Sequence, residues 1–103
     1  MAYTSVSREV AEAARDAILA VPGVAGMHGG FFGEVALLLP GERIEGLKPA
    51  TRSSDPNLRG LEVNFIYDVS SERDIHSVAD DVRTATLRAT DVDFVDVVVA
   101  DAE

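Results

Sequence analysis

The apolar period changes twice between residues 61 and 100, and this constrains the fold more than any other feature of the chain. Leu61, Val63, Phe65, Tyr67 and Val69 alternate with Glu62, Asn64, Ile66 and Asp68. A period of two suits a half-buried strand, because successive side chains leave a strand on opposite faces. From Ile75 the period becomes helical: Ile75, Val78, Ala79, Val82, Ala85 and Ala89 recur at three- and four-residue steps. Val95, Val97 and Val99 then alternate again. Strand, helix and strand follow one another, and none carries an evident catalytic group.

The preceding half reads as a helix followed by short extended runs. A serine hydroxyl, from Ser5 or Ser7, can accept from an exposed amide and cap a first helix. Val10, Ala14, Ala17, Ile18 and Val21 form its apolar stripe, Glu9 and Glu12 suit the positive end of its dipole, and Pro22-Gly23 stops it. Residues 24–27 and 35–39 read as strands, the second closed by Pro40-Gly41, and residues 44–48 as a further short strand. Residues 50–60 are polar, contain Asp55-Pro56-Asn57, and read as a mobile loop. Ser71 and Asp74 have the spacing of a capping box ahead of the second helix. The order is α-β-β-(β)-α-β. The expected fold is α+β: a small two-layer sandwich with two amphipathic helices on one face of a mainly antiparallel sheet.

The chain has 103 residues, a length that fits one domain spanning residues 1–103. It has no cysteine, which excludes disulfides and thiolate chemistry and fits a cytoplasmic protein. No apolar run approaches the roughly 20 residues that span a bilayer, and no leader pattern opens the chain. Direct membrane insertion is not expected. Net charge is −9, of which residues 62–103 carry −8. That half repels phosphate backbones, so nucleic acid is not an expected partner. Arg43, Lys48, Arg52 and Arg59 are the one basic concentration and read as a solvated loop.

The run Val21-Pro22-Gly23-Val24-Ala25-Gly26-Met27-His28-Gly29-Gly30-Phe31-Phe32-Gly33, followed by the strand pattern of residues 61–67, resembles the alkaline shock protein 23 family. In that family too a leading helix enters a Pro-Gly-Val turn, and a strand, an amphipathic helix and a Val-rich strand follow. Residues 91–99 look like its closing strand, and the resemblance covers residues 6–100 in order and spacing. Two departures stand out. Tyr67 is followed by Asp68-Val69-Ser70 where the family usually has Tyr-Gly, and residues 41–60 are longer and more polar than the usual connection. The resemblance implies a non-enzymatic module linked to cell-envelope stress, cytoplasmic and held near the membrane by a small membrane-anchor protein.

Candidate chemical sites each have a plainer structural explanation. The glycine-rich run of residues 23–33 lacks the G-x-G-x-x-G spacing and the lysine of a phosphate loop, and an extended run follows it where a helix is needed. Gly26-Met27-His28-Gly29 matches the bare G-x-x-G of a KH module, but beside a strand in an acidic chain. His28 and His76 lack the paired spacing of metal ligands, so no metal or cofactor is expected. Asp91, Asp93 and Asp96 do not form a calcium loop, since Asp96 occupies the position that needs glycine. Ser70 or Ser71 near His76 lacks the third group of a triad. Enzyme activity is not expected. An alternative is a small-ligand or regulatory module using the glycine-rich loop around His28.

The second strand face offers a different kind of site. If Val95, Val97 and Val99 face the helices, Phe94, Val98 and Ile66 face away from them. Such an apolar patch suits protein contacts, with a partner or between copies in a homo-oligomer. Phe31 and Phe32 are further interaction candidates, or a lid over the same face.

Overall fold

The computed structural model describes residues 6–30, 33, 35–39 and 41–103. Two helices, α1 (Arg8–Leu19) and α2 (Ile75–Ala89), accompany six strands: β1 (Val24–Met27), β2 (Ala36–Leu39), β3 (Glu42–Glu45), β4 (Leu47–Arg52), β5 (Asp55–Tyr67) and β6 (Phe94–Ala102). The fold is α+β, as the periodicity predicts.

Strand β5 organises the sheet. On one side it pairs in parallel with β6, from Gly60↔Phe94 to Tyr67↔Ala102. A parallel pair needs a crossover, and α2 supplies it. On the other side β5 pairs antiparallel with β4 over its first part and with β1 over its last, so β4 and β1 lie end to end along it. Strands β2 and β3 form a separate antiparallel hairpin. The sheet is mixed, and three of the four strand pairings are antiparallel.

The helices cover the face that the inner residues of β5 and β6 present. Leu61, Val63 and Phe65 of β5 are fully buried with Leu47 of β4 and Val95 of β6. They pack with Ala11, Ala14 and Ile18 of α1, and with Val78 and Val82 of α2, in one core cluster. Leu37 and Ile44 bring the β2–β3 hairpin into the same cluster. Removing such side chains from water is the main stabilising contribution, about 1.5–3 kcal/mol each. Val97 and Val99 are partly buried against this core, as their alternation predicts. Thr86, not Ala89, completes the α2 stripe; its buried hydroxyl donates to the Val82 carbonyl at 2.7 Å, so burial leaves no polar group unmet.

Helix starts follow local chemistry. Ser7 caps α1, its Oγ accepting from the Val10 amide at 3.2 Å; the other expected cap, Ser5, lies outside the described residues. The cap of α2 is Asp74 itself, which accepts from the Ser77 amide at 3.1 Å. Ser71, the expected cap, belongs to a 3₁₀ turn at Val69–Ser71. Strand β5 therefore ends at Tyr67, and Val69 is exposed in the turn, not the last inner residue of the strand.

Two further expectations are corrected. Residues 44–48 are not one strand: Gly46, with φ +87°, separates β3 from β4, and a side chain there would meet the Asn64 carbonyl and Met27. Residues 50–60 are not a loop but the distal part of the β4–β5 hairpin. Its polar composition follows from position: residues 53–59 are all exposed, so nothing selects apolar side chains. Pairing passes from Ala50↔Gly60 to Arg52↔Asp55, leaving residues 56–59 bulged opposite Thr51.

Candidate interaction surface

Among the described residues the helices lie on one side of the β4–β5–β6 sheet, and the other side is the outer face. The register defines its rows. Gly60 pairs with Phe94, Glu62 with Asp96 and Lys48, and Asn64 with Val98. Ile66 lies one row further on, opposite Gly26 of β1. Phe94, Val98 and Ile66 thus share a face, but not one continuous apolar patch, because Asp96 stands between Phe94 and Val98 along β6.

The large apolar side chains on this face are laid across glycines. The Phe94 ring lies over Gly60, close enough that a Cβ on Gly60 would stand 2.1 Å from it. Gly60 is buried although its strand face carries no helix. Ile66 leans toward its partner Gly26 in the same way, with Cδ1 3.9 Å from where a Cβ would stand. An aromatic or branched side chain covering a strand glycine replaces the packing that the glycine lacks. Val98 has no such seat and is 39% exposed.

Around Phe94 the polar side chains are paired. The Arg52 guanidinium stacks 3.9 Å from the Phe94 ring centroid and donates to both Asp96 oxygens, Nη1 to Oδ2 at 2.7 Å and Nη2 to Oδ1 at 2.5 Å. This two-point geometry matches a planar guanidinium to a carboxylate. The hydrogen bonds from Arg52 hold the Asp96 carboxyl below its ordinary pKa, partial desolvation opposes them, and the charges of Arg52 and Arg83 assist. The same bond raises Arg52 above the usual arginine value. Glu62 accepts from Asn64 Nδ2 at 3.0 Å and lies 4.0 Å from Lys48 Nζ. Composition gave no sign of these partnerships. Arg52 and Lys48 belong to the stretch read as a solvated basic loop, and only the β4–β5 and β5–β6 pairings together bring Arg52 to Phe94.

The other sequence candidates occupy different places. His28 sits in the turn after β1, where its Nδ1 accepts from the Gly30 amide at 3.0 Å and its own amide donates to the Asn64 carbonyl. Arg43 donates to the Gly33 carbonyl and Val35 to that of Gly29, so the loop is tied to the β2–β3 hairpin. Phe31 and Phe32 lie outside the described residues. His76 is exposed on α2. Asp91 and Asp93 hold Arg59: its Nη2 donates to the Asp91 carbonyl at 2.5 Å, and its amide to Asp93 Oδ2 at 2.7 Å. Among the described residues no group of three or more His, Asp or Glu side chains is placed to hold a metal ion. An open cleft of about 140 Å³ lies between Ser7, Val10, Arg59 and Val92. Its polar groups are already engaged, Ser7 as the helix cap and Arg59 by Asp91.

No helix among the described residues is long and apolar enough to cross a membrane. No family model, curated protein or solved structure matches the chain.

Proposed function

We propose that the protein is a non-enzymatic interaction module that docks through the outer face of its sheet, against a partner protein or a copy of itself. The observation that carries this reading is the asymmetry of the sheet, with both helices on one side and Val98 exposed on the other. Arginine and aromatic side chains, here Arg52 stacked on Phe94 on the same face, are enriched at protein interfaces. The setting follows from the resemblance to the alkaline shock protein 23 family: a cytoplasmic protein of the envelope-stress response, brought to the membrane by a small anchor protein.

The test is site-specific photo-crosslinking in cells from position 98 and, as a control in the helical layer, from position 80. Discrete adducts from position 98 alone are expected. Absence of adducts from position 98, or equal adducts from both positions, would exclude the outer face as the docking surface.

A further inference from the structure

We infer that the free edge of β6 accepts an added strand, and that its occupant is an extended segment of another protein bearing Lys or Arg. The inference does not depend on the outer-face reading, because it uses the rim of the sheet and its main-chain groups.

Among the described residues β6 pairs with β5 alone, so its far side borders no strand. The backbone groups that face outward follow from β5. Asn64 donates to the Gly46 carbonyl and accepts from the His28 amide, so its backbone faces β4 and β1. Its neighbours Val63 and Phe65 therefore face β6, where their partners are Val97 and Val99. In a parallel ladder a residue bonds to the residues flanking its partner. Val97 and Val99 thus direct their own N–H and C=O to the free edge. The carbonyl of Val95, in phase with them, accepts from Arg83 Nε of α2 at 3.3 Å.

The two edges of the sheet are built differently. The opposite edge is divided between β1, four residues with a register shift, and β4, which carries Lys48 and Pro49. A proline, an edge lysine or a bulge blocks strand addition. Between Phe94 and Val99, β6 has neither proline nor lysine, and its pairing with β5 runs without a shift. Leu87 lies one turn past Arg83 on the same side of α2 and is 39% exposed. An added strand with apolar side chains at alternate positions would cover Leu87 and the half-buried Val97 and Val99.

Charge selects the occupant. Residues 91–103 carry five carboxylates and no Lys or Arg. Asp91 and Asp93 hold Arg59, and Asp96 holds Arg52. Asp101 and Glu103 are exposed and have no cationic partner among the described residues. A second copy of β6 would bring five more carboxylates to the same rim, and like charges on adjacent strands repel. A segment bearing Lys or Arg replaces that repulsion with attraction.

The experiment is amide hydrogen exchange, followed by NMR on the full chain, with three end-blocked octapeptides. One alternates Val and Lys, one alternates Val and Glu, and the third is the Val–Lys peptide with its backbone amides N-methylated. The Val–Lys peptide should slow exchange at Val97 and Val99 about tenfold or more, and the other two should not. Val97→Pro removes an edge N–H that β5 does not use, so this variant should melt as the wild type does and lose the protection at Val99. Should it fail to fold, the peptide comparison on the wild type decides. Unchanged exchange with the Val–Lys peptide, or equal protection by its N-methylated form, overturns the inference. Protection that rises with protein concentration in the absence of peptide assigns the edge to a second copy and overturns it as well. Adducts from position 98 report the outer face, so the two readings stand or fall separately.

Discussion

The two faces of the sheet solve the same packing problem by different means. On the inner face, Leu61, Val63 and Phe65 are buried completely under two helices. On the outer face, the same strand offers Gly60, Glu62, Asn64 and Ile66, and no helix covers them. Order there comes from side chains lying flat on the sheet, with Phe94 over Gly60 and Arg52 over Phe94. The inner face draws its stability from excluded water. The outer face draws less, but it presents a fixed arrangement of charge to the surroundings.

Substitutions should separate the two faces by size of effect. Phe65→Ala, which empties the centre of the inner face, should cost about 3–5 kcal/mol, read by thermal or denaturant unfolding. Gly60→Ala should come next, at about 1–3 kcal/mol, because the new methyl collides with the Phe94 ring. Combining it with Phe94→Ala should recover part of that loss. If the double variant is as unstable as the sum of the two singles, Phe94 does not lie on Gly60 as described.

Asp96→Asn should cost less, under about 1 kcal/mol at neutral pH, since both partners of the ion pair are partly exposed and screened by solvent. Its pH dependence is more telling than its size. The folded-state pKa of Asp96 is lowered, so its contribution is present above the ordinary aspartate range and is lost as pH falls through the folded value. The stability difference between wild type and Asp96→Asn should therefore shrink on acidification. A difference that stays constant down to the acid limit would mean that the Arg52 pairing contributes nothing. Val98→Asp should have the smallest effect on folding, within about 0.5 kcal/mol, because the side chain projects from the open face.

How much of this was legible in the sequence differs between the faces for the same physical reason. Burial imposes a period, so the inner valines, the two helices and the α+β class could be read directly. The outer face has no such constraint. Its residues acquire meaning only from the residue opposite, and Gly60 facing Phe94 is a matter of register that periodicity does not encode. The distal β4–β5 hairpin was missed for the same reason, because exposed strands with a bulge look like loops in composition. Arg52 was visible as a charge but not as the partner of Asp96, 44 residues further along the chain. The α2 cap was misassigned by one turn because Ser71 and Asp74 both offer capping oxygens, and the intervening 3₁₀ turn decides which one is used.

The most direct test of the account is the sedimentation behaviour of the wild type beside Val98→Asp. With the outer face as a self-docking surface, the weight-average mass of the wild type should climb toward that of a dimer as concentration rises. Val98→Asp, with an unchanged melting curve, should remain at the monomer mass over the same range. Indistinguishable masses for the two chains at every concentration would contradict self-docking through the outer face.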